Sequence, residues 1–112
     1  MPVTVPTAEH AQALYDFIRY RSDEDHAAAL ADQTLEGDAY DRFFRISNCN
    51  KYGIAAAAES ISYLLDHGDT EGAARAWHLL TGAGEQWRDH PDYLPVWQNP
   101  QLASVRQTLG AS

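Results

Sequence analysis

The chain contains 112 residues, of which 45% are hydrophobic, and its formal net charge at pH 7 is −8. This length corresponds to one domain with one core. The 16 acidic residues outnumber the 8 basic ones and are spread along the chain, so the basic patch that nucleic-acid binding requires is missing and we expect no nucleic acid as a partner.

The first third of the chain is predicted to be an arm followed by helix. Residues 1–6 contain two prolines and no periodicity, so we expect a flexible arm that ends at Thr7, a typical helix N-cap residue. An apolar stripe at helical spacing follows, formed by Ala11, Leu14 and Ile18. The stripe breaks at Ser22, where a new capping pattern begins, so residues 8–33 form either one kinked helix or two.

Two further helices are predicted in the middle of the chain, on either side of Gly53. Residues 38–53 are predicted to form a helix that ends at this glycine, because glycine is a common C-terminal helix signal. The apolar face of this helix consists of Tyr40, Phe43, Phe44 and Ile46. Residues 54–67 show the clearest helical stripe in the sequence, with apolar residues on one face and polar residues opposite.

The last part of the chain begins with one more helix and ends with another. The helix that stops near Gly68 is followed at once by a second apolar stripe, so residues 54–81 are predicted to form an antiparallel αα-hairpin. Three prolines between residues 91 and 100 prevent a regular helix there. A final helix is predicted over residues 101–109, directly after a proline that suits a first helical position.

The sequence therefore predicts a single all-α domain over residues 1–112, a bundle of about five helices built around the central αα-hairpin. Leu, Ile, Val and Phe account for only 21 of the 112 residues, so large aromatic rings must supply part of the core. All three tryptophans fall within residues 77–97. We expect the segment 87–97 to pack across one end of the bundle.

Aromatic side chains that remain exposed are also the usual anchors of protein interfaces. The candidate docking residues in this segment are Trp87, Tyr93 and Trp97. A second candidate surface is the acidic run Asp23, Glu24 and Asp25, which suits a basic partner but is more typical of a solvated first helical turn. These surfaces favour a non-enzymatic protein-interaction or regulatory module whose protein partner the sequence does not identify.

Three Asp-His dipeptides provide an alternative function. Their histidines are His26, His67 and His90, and helical bundles bring such ligands together from separate helices, so a small metal- or ligand-binding helical protein is the second interpretation. Each dipeptide lies near a predicted helix end or in a loop, where Asp and His are common for capping reasons. The protein-interaction interpretation requires no cofactor, and we expect none.

Catalytic and targeting signals are missing from the sequence. It has no glycine-rich phosphate loop, no G-x-S-x-G and no H-E-x-x-H motif, so we favour a protein without enzymatic activity. The single cysteine, Cys49, forms no intramolecular disulfide, and the longest apolar run, residues 54–58, is too short to cross a bilayer. We expect a cytoplasmic protein that does not bind membranes, and a homodimer stays open.

Two short stretches carry a resemblance to a known group. "DHPDYLPVW" at residues 89–97 resembles the ending of short uncharacterised actinobacterial proteins that close with a His-Pro-Asp-Tyr-x-x-x-Trp segment, and "FIRYRSDEDHAAA" at residues 17–29 is similar to their first helix. One lysine against seven arginines fits a GC-rich genome of that kind. The resemblance implies a bacterial source and no particular activity.

Overall fold

The computed structural model describes residues 3–32 and 36–110, and this part of the chain is all-α with no strand. Its four helices are α1 (Ala8–Ala31), α2 (Gly37–Asp66), α3 (Thr70–Gly84) and α4 (Pro100–Gly110). Two short 3-10 turns, Glu85–Trp87 and Pro95–Trp97, lie between α3 and α4. The all-α class and the central αα-hairpin are confirmed, whereas the expected number of about five helices is slightly too high.

The lower helix count arises in α2, which continues through Gly53. Helices commonly end at a glycine with a positive φ. Among the described glycines, Gly68 has such a φ, 74°, directly after α2, and Gly37, with φ 58°, is the first residue of α2. Gly68 ends α2 as predicted, but Gly53 keeps a helical conformation, so the prediction of a stop there is wrong. The open question about the first helix resolves to one continuous α1 up to Ala31.

The start of α1 follows the sequence prediction. The Thr7 side chain accepts a hydrogen bond from the His10 backbone N–H at 3.0 Å, and His10 Nδ1 accepts one from the Thr7 backbone N–H at 3.2 Å. This reciprocal arrangement satisfies two N–H groups that a helix end leaves without partners. The residues before the helix lie against the bundle, because Pro6 is buried and the Val3 carbonyl accepts a hydrogen bond from Trp77 Nε1 at 2.8 Å.

The core lies where α1, the second half of α2 and α3 meet. Its centre is Trp77, which is fully buried among aliphatic side chains from the neighbouring helices. The buried members of this cluster are Ala11, Leu14, Phe17, Ile18, Ile61, Ala76, Trp77, Leu80 and Trp97. Gly84 brings α3 close to α1, since a Cβ at this position would lie 3.1 Å from Leu14 Cδ1.

Polar contacts attach α4 to the rest of the molecule. The Asn99 side chain caps α4 by accepting a hydrogen bond from the Leu102 backbone N–H at 3.0 Å. Arg106 donates to both oxygens of the largely buried Glu85 carboxylate, at 3.0 Å and 2.8 Å. Such a bidentate pair fixes direction as well as distance. The turn after α3 therefore determines where α4 lies.

The helices differ in length, and this difference shapes the molecule. α2 has 30 residues and α3 has 15, so α3 covers only the second half of α2. The first half of α2 packs against the end of α1 through a cluster of His26, Tyr40, Phe43 and Phe44. The radius of gyration is 15.7 Å, above the roughly 13 Å typical of a compact domain of this length.

No α-helix in the described ranges combines the length and the apolar character needed to span a bilayer.

Candidate functional site

A groove runs along α2 next to the end of α3. Its first depression has a volume of about 330 Å³ and lies between α2, the end of α1 and the turn after α3. The residues that line it are Ser22, Asp25, Phe43, Ile46, Ser47, Asn50, Ile54, Ala83, Gln86 and Trp87. A second depression of about 230 Å³ shares Asn50 and Ile54 with the first and extends to Ala57, Leu79 and Cys49. We call the two together the α2 groove.

The α2 groove presents apolar side chains to solvent. Ile46 is 62% exposed and Leu79 is 70% exposed, although both are large aliphatic residues. Exposure of single apolar residues is ordinary, but Ile46 lines the first depression, Leu79 lines the second, and the two depressions share Ile54. An apolar floor with polar residues along its edges is the usual composition of a protein interface.

The groove brings together two of the six predicted docking residues. Trp87 is partly buried and forms one end of the first depression, while Asp25 stands on the α1 wall. They are far apart in sequence and meet because α1 is a single helix that reaches past the end of α3. Asp25 forms no ion pair within the described residues. Its carboxylate is therefore available to a partner.

The other two aromatic candidates lie in the bundle. Trp97 is only 5% exposed and packs against Phe17, with ring centroids 5.0 Å apart, so it is a core residue. The Tyr93 ring contacts the same Phe17 at 6.0 Å, and its hydroxyl is buried without a hydrogen-bond partner. Burial of this hydroxyl, helped by the nearby Glu85 carboxylate, raises the pKa of Tyr93 to about 12. Trp97 therefore offers no free docking face, whereas Tyr93 borders a separate depression together with Arg88 and Gln98 and does not line the α2 groove.

The remaining acidic candidates do not line the groove's first depression. Asp23 and Glu24 are exposed on α1, and Glu24 accepts from Arg21 at 2.9 Å. The Arg21 guanidinium also lies 2.7 Å from His90 Nε2 and 3.9 Å from the Asp92 carboxylate. Arg21 therefore ties α1 to the loop that follows the first 3-10 turn. Glu24 therefore supports this connection, whereas Asp23 forms no ion pair within the described residues.

The three histidines of the metal-binding interpretation have separate surroundings. His26 packs on Phe44 with ring centroids 4.3 Å apart, and His67 Nδ1 lies 2.8 Å from the Tyr63 carbonyl oxygen. His90 has Arg21 at one ring nitrogen and accepts from the Asp92 backbone N–H at the other, at 3.0 Å. Both nitrogens of this ring thus face donors. Within residues 3–32 and 36–110, no three His, Cys, Asp or Glu side chains are grouped as a metal site would require.

Sequence reasoning missed Ile46 and Leu79 as site residues. It placed Ile46 on the apolar face of a helix, which is correct, but it did not predict that this part of the face is exposed. The available signal was the length of the apolar stripe, because Phe43, Ile46, Ile54 and Ala57 keep helical spacing across Gly53. The stripe continues through Ile61 and Leu65, so it covers residues 43–65. It is therefore longer than the 15 residues of α3, and part of it had to stay uncovered.

The chain was compared with protein families, with curated proteins and with solved structures. No family model, no curated protein and no solved structure matches the chain.

Proposed function

We propose that the chain is a non-enzymatic protein-interaction or regulatory module of a bacterial cytoplasm, and that its partner docks in the α2 groove. The observation that carries this proposal is the meeting of Trp87 and Asp25 beside the exposed Ile46. Interfaces obtain most of their binding energy from a few apolar and aromatic anchors that exclude water. The groove offers such anchors on a rigid helical scaffold.

The chemistry of the lining favours binding over catalysis. Asp25 is the one ionisable side chain among the residues that line the first depression. General acid–base catalysis depends on a titratable group held close to a second polar group that tunes or orients it. The neighbours of Asp25 in the depression are hydroxyl, amide and apolar side chains. A surface of this kind holds a partner in place by apolar contact and directs it by one charge.

The docking role is tested by affinity capture with folded variants. Ile46→Asp introduces a charge into the groove, and Trp87→Ala removes its aromatic end. Tyr52→Ala is a matched control, because Tyr52 lies on the same helix, is 75% exposed and does not line the groove. We expect wild type and Tyr52→Ala to retrieve the same protein from a native bacterial lysate, and the two groove variants to lose it.

Circular dichroism first establishes that each variant keeps its helical content. Ile46 is 62% exposed, so its replacement leaves the buried cluster intact. If the groove variants retrieve the same protein as wild type, at the same yield, the docking surface lies elsewhere and the proposal is refuted.

A further inference from the structure

We infer that the α2 groove binds an amphipathic α-helix that carries Lys or Arg along the flank facing α1. This inference rests on the proposed function and names the chemistry of the partner. The groove extends along α2 from Phe43 to Ala57, a distance of roughly 21 Å at 1.5 Å per residue. A partner helix of about four turns spans it.

The shape of the groove favours a helix over an extended peptide. It is lined by α1, by α2 and by the end of α3, which contributes Leu79, Leu80 and Ala83, and the turn that follows α3 adds Trp87. The described residues contain no strand, so an extended peptide finds no sheet edge with which to pair its backbone. A helix satisfies its own backbone and needs only an apolar stripe with i, i+3/i+4, i+7 spacing to contact Ile46, Ile54 and Leu79. It would lie on α2 beside the end of α3.

Charged side chains without an ion pair in the described residues lie in the groove and on the neighbouring surface of α2. On the α1 edge, the Asp25 carboxylate has no ion pair within the described residues. Arg42 and Arg45 do not line the groove, but they precede Cys49 by seven and four residues, so helical spacing places them on the same side of α2 as Cys49. Arg42 donates only to the Asp38 backbone carbonyl, at 3.4 Å, and Arg45 has no ion pair in the described part of the chain.

This charge arrangement specifies both flanks of the partner. Lys or Arg on the flank toward α1 would pair with Asp25, whereas the flank toward Arg42 and Arg45 would carry acidic or neutral side chains. A second copy of this chain is a poorer occupant, because each copy carries a net charge of −8 and the two would repel. A partner helix with one basic flank is attracted to Asp25, whereas a second copy of the acidic chain is repelled.

The test is a selection from displayed random 16-residue peptides, with the full chain as bait and Ile46→Asp as the counter-selection. We expect peptides that bind wild type and not the variant to share an apolar helical stripe with Lys or Arg on one flank. Repeating the selection with Asp25→Arg should replace those basic residues by Asp or Glu. A peptide selected on wild type should bind Asp25→Arg about fivefold to tenfold more weakly.

Three results would overturn the inference. Peptides that depend on the groove but lack the basic flank or the helical spacing would refute the partner chemistry and leave the proposed function standing. Peptides that bind wild type and Ile46→Asp equally would refute the groove as a helix site, while the affinity capture decides the proposed function by itself. Light scattering that shows a dimer of wild type and a monomer of Ile46→Asp would assign the groove to a second copy.

Discussion

Asn99 has a small polar side chain that joins α3 to α4. It is 2% exposed, and its Nδ2 donates to the His78 carbonyl at 3.0 Å and to Thr81 Oγ1 at 3.1 Å. Its Oδ1 caps α4 by accepting from the Leu102 backbone N–H. Replacement of Asn99 by alanine should therefore loosen α4 and expose the end of α3 at the same time.

The magnitude follows from the contacts that are lost. Loss of an N-cap costs about 1 kcal/mol, and each of the two side-chain hydrogen bonds contributes about 1 kcal/mol. The backbone N–H of residue 99, which donates to Glu85 at 2.9 Å, is retained in the variant. We expect Asn99→Ala to lower the free energy of unfolding by about 2–3 kcal/mol. For a domain of this size, that corresponds to a Tm decrease of roughly 10 °C.

Two further variants separate the helix cap from the amide hydrogen bonds and provide a control at a neighbouring exposed position. Asn99→Ser keeps a hydroxyl oxygen that can cap α4 but has no amide group to reach His78, so it should lose less than Asn99→Ala. Gln101→Ala changes a neighbouring exposed residue and should alter stability by less than about 0.5 kcal/mol. Urea unfolding followed by circular dichroism measures all three. If Asn99→Ala is no less stable than Gln101→Ala, Asn99 does not join α3 to α4 as argued.

Four further predictions concern single residues. Gly53→Ala should raise the free energy of unfolding, measured by urea unfolding, by roughly 0.5–1 kcal/mol, because alanine has the higher helix propensity. A Cβ at this position meets nothing within 4 Å. An unchanged midpoint would contradict a helical Gly53. Trp97→Ala should cost about 3–5 kcal/mol by the same measurement and Trp87→Ala clearly less, since only the first is core; equal losses would contradict that assignment. Spectrophotometric titration should show one tyrosine that ionises near pH 12, absent in Tyr93→Phe. Because this pKa is raised in the folded state, the wild type should keep the associated stability below pH 10 and lose it as the pH rises toward 12, whereas Tyr93→Phe should lose less over that range. Elemental analysis after incubation with zinc should find less than one equivalent bound, since both His90 nitrogens face donors; stoichiometric zinc would revive the metal-binding interpretation.

The sequence predicted the helix ends where the signal is a local contact. Thr7 and His10 form their capping contacts within one turn, and Gly68 ends α2 through its own φ, so neither depends on the rest of the molecule. Gly53 shows where this reasoning fails. A glycine inside a helix destabilises it by about 1 kcal/mol relative to alanine. Burial of one large apolar side chain stabilises the fold by about 1.5–3 kcal/mol, which outweighs that cost. The glycine therefore stays helical because Ile54 and Ala57 are held against α1 and α3.

The aromatic segment was harder to interpret from sequence for a related reason. Helical periodicity identifies which residues share a face, but residues 85–99 form two short 3-10 turns and a loop, so periodicity assigns no face there. Trp87 and Trp97 consequently look alike in sequence, yet one lines a groove and the other is core. Asn99 was recognisable as a residue before a helix, but its burial depends on α3 and could not be predicted.

The groove and the unbroken α2 have the same origin. Had α2 ended at Gly53, residues 37–52 would form a separate short helix, free to turn and bury Ile46 against Trp87 and Ile54. A continuous helix prevents this turn, because its backbone hydrogen bonds hold the first half of α2 in line with the half that packs in the core. The aromatic cluster of His26 and Phe44 then fixes α1 beside it. The apolar side chains between these helices and the end of α3 stay uncovered for that reason, and the surface that is open to a partner is set by the difference in length between α2 and α3.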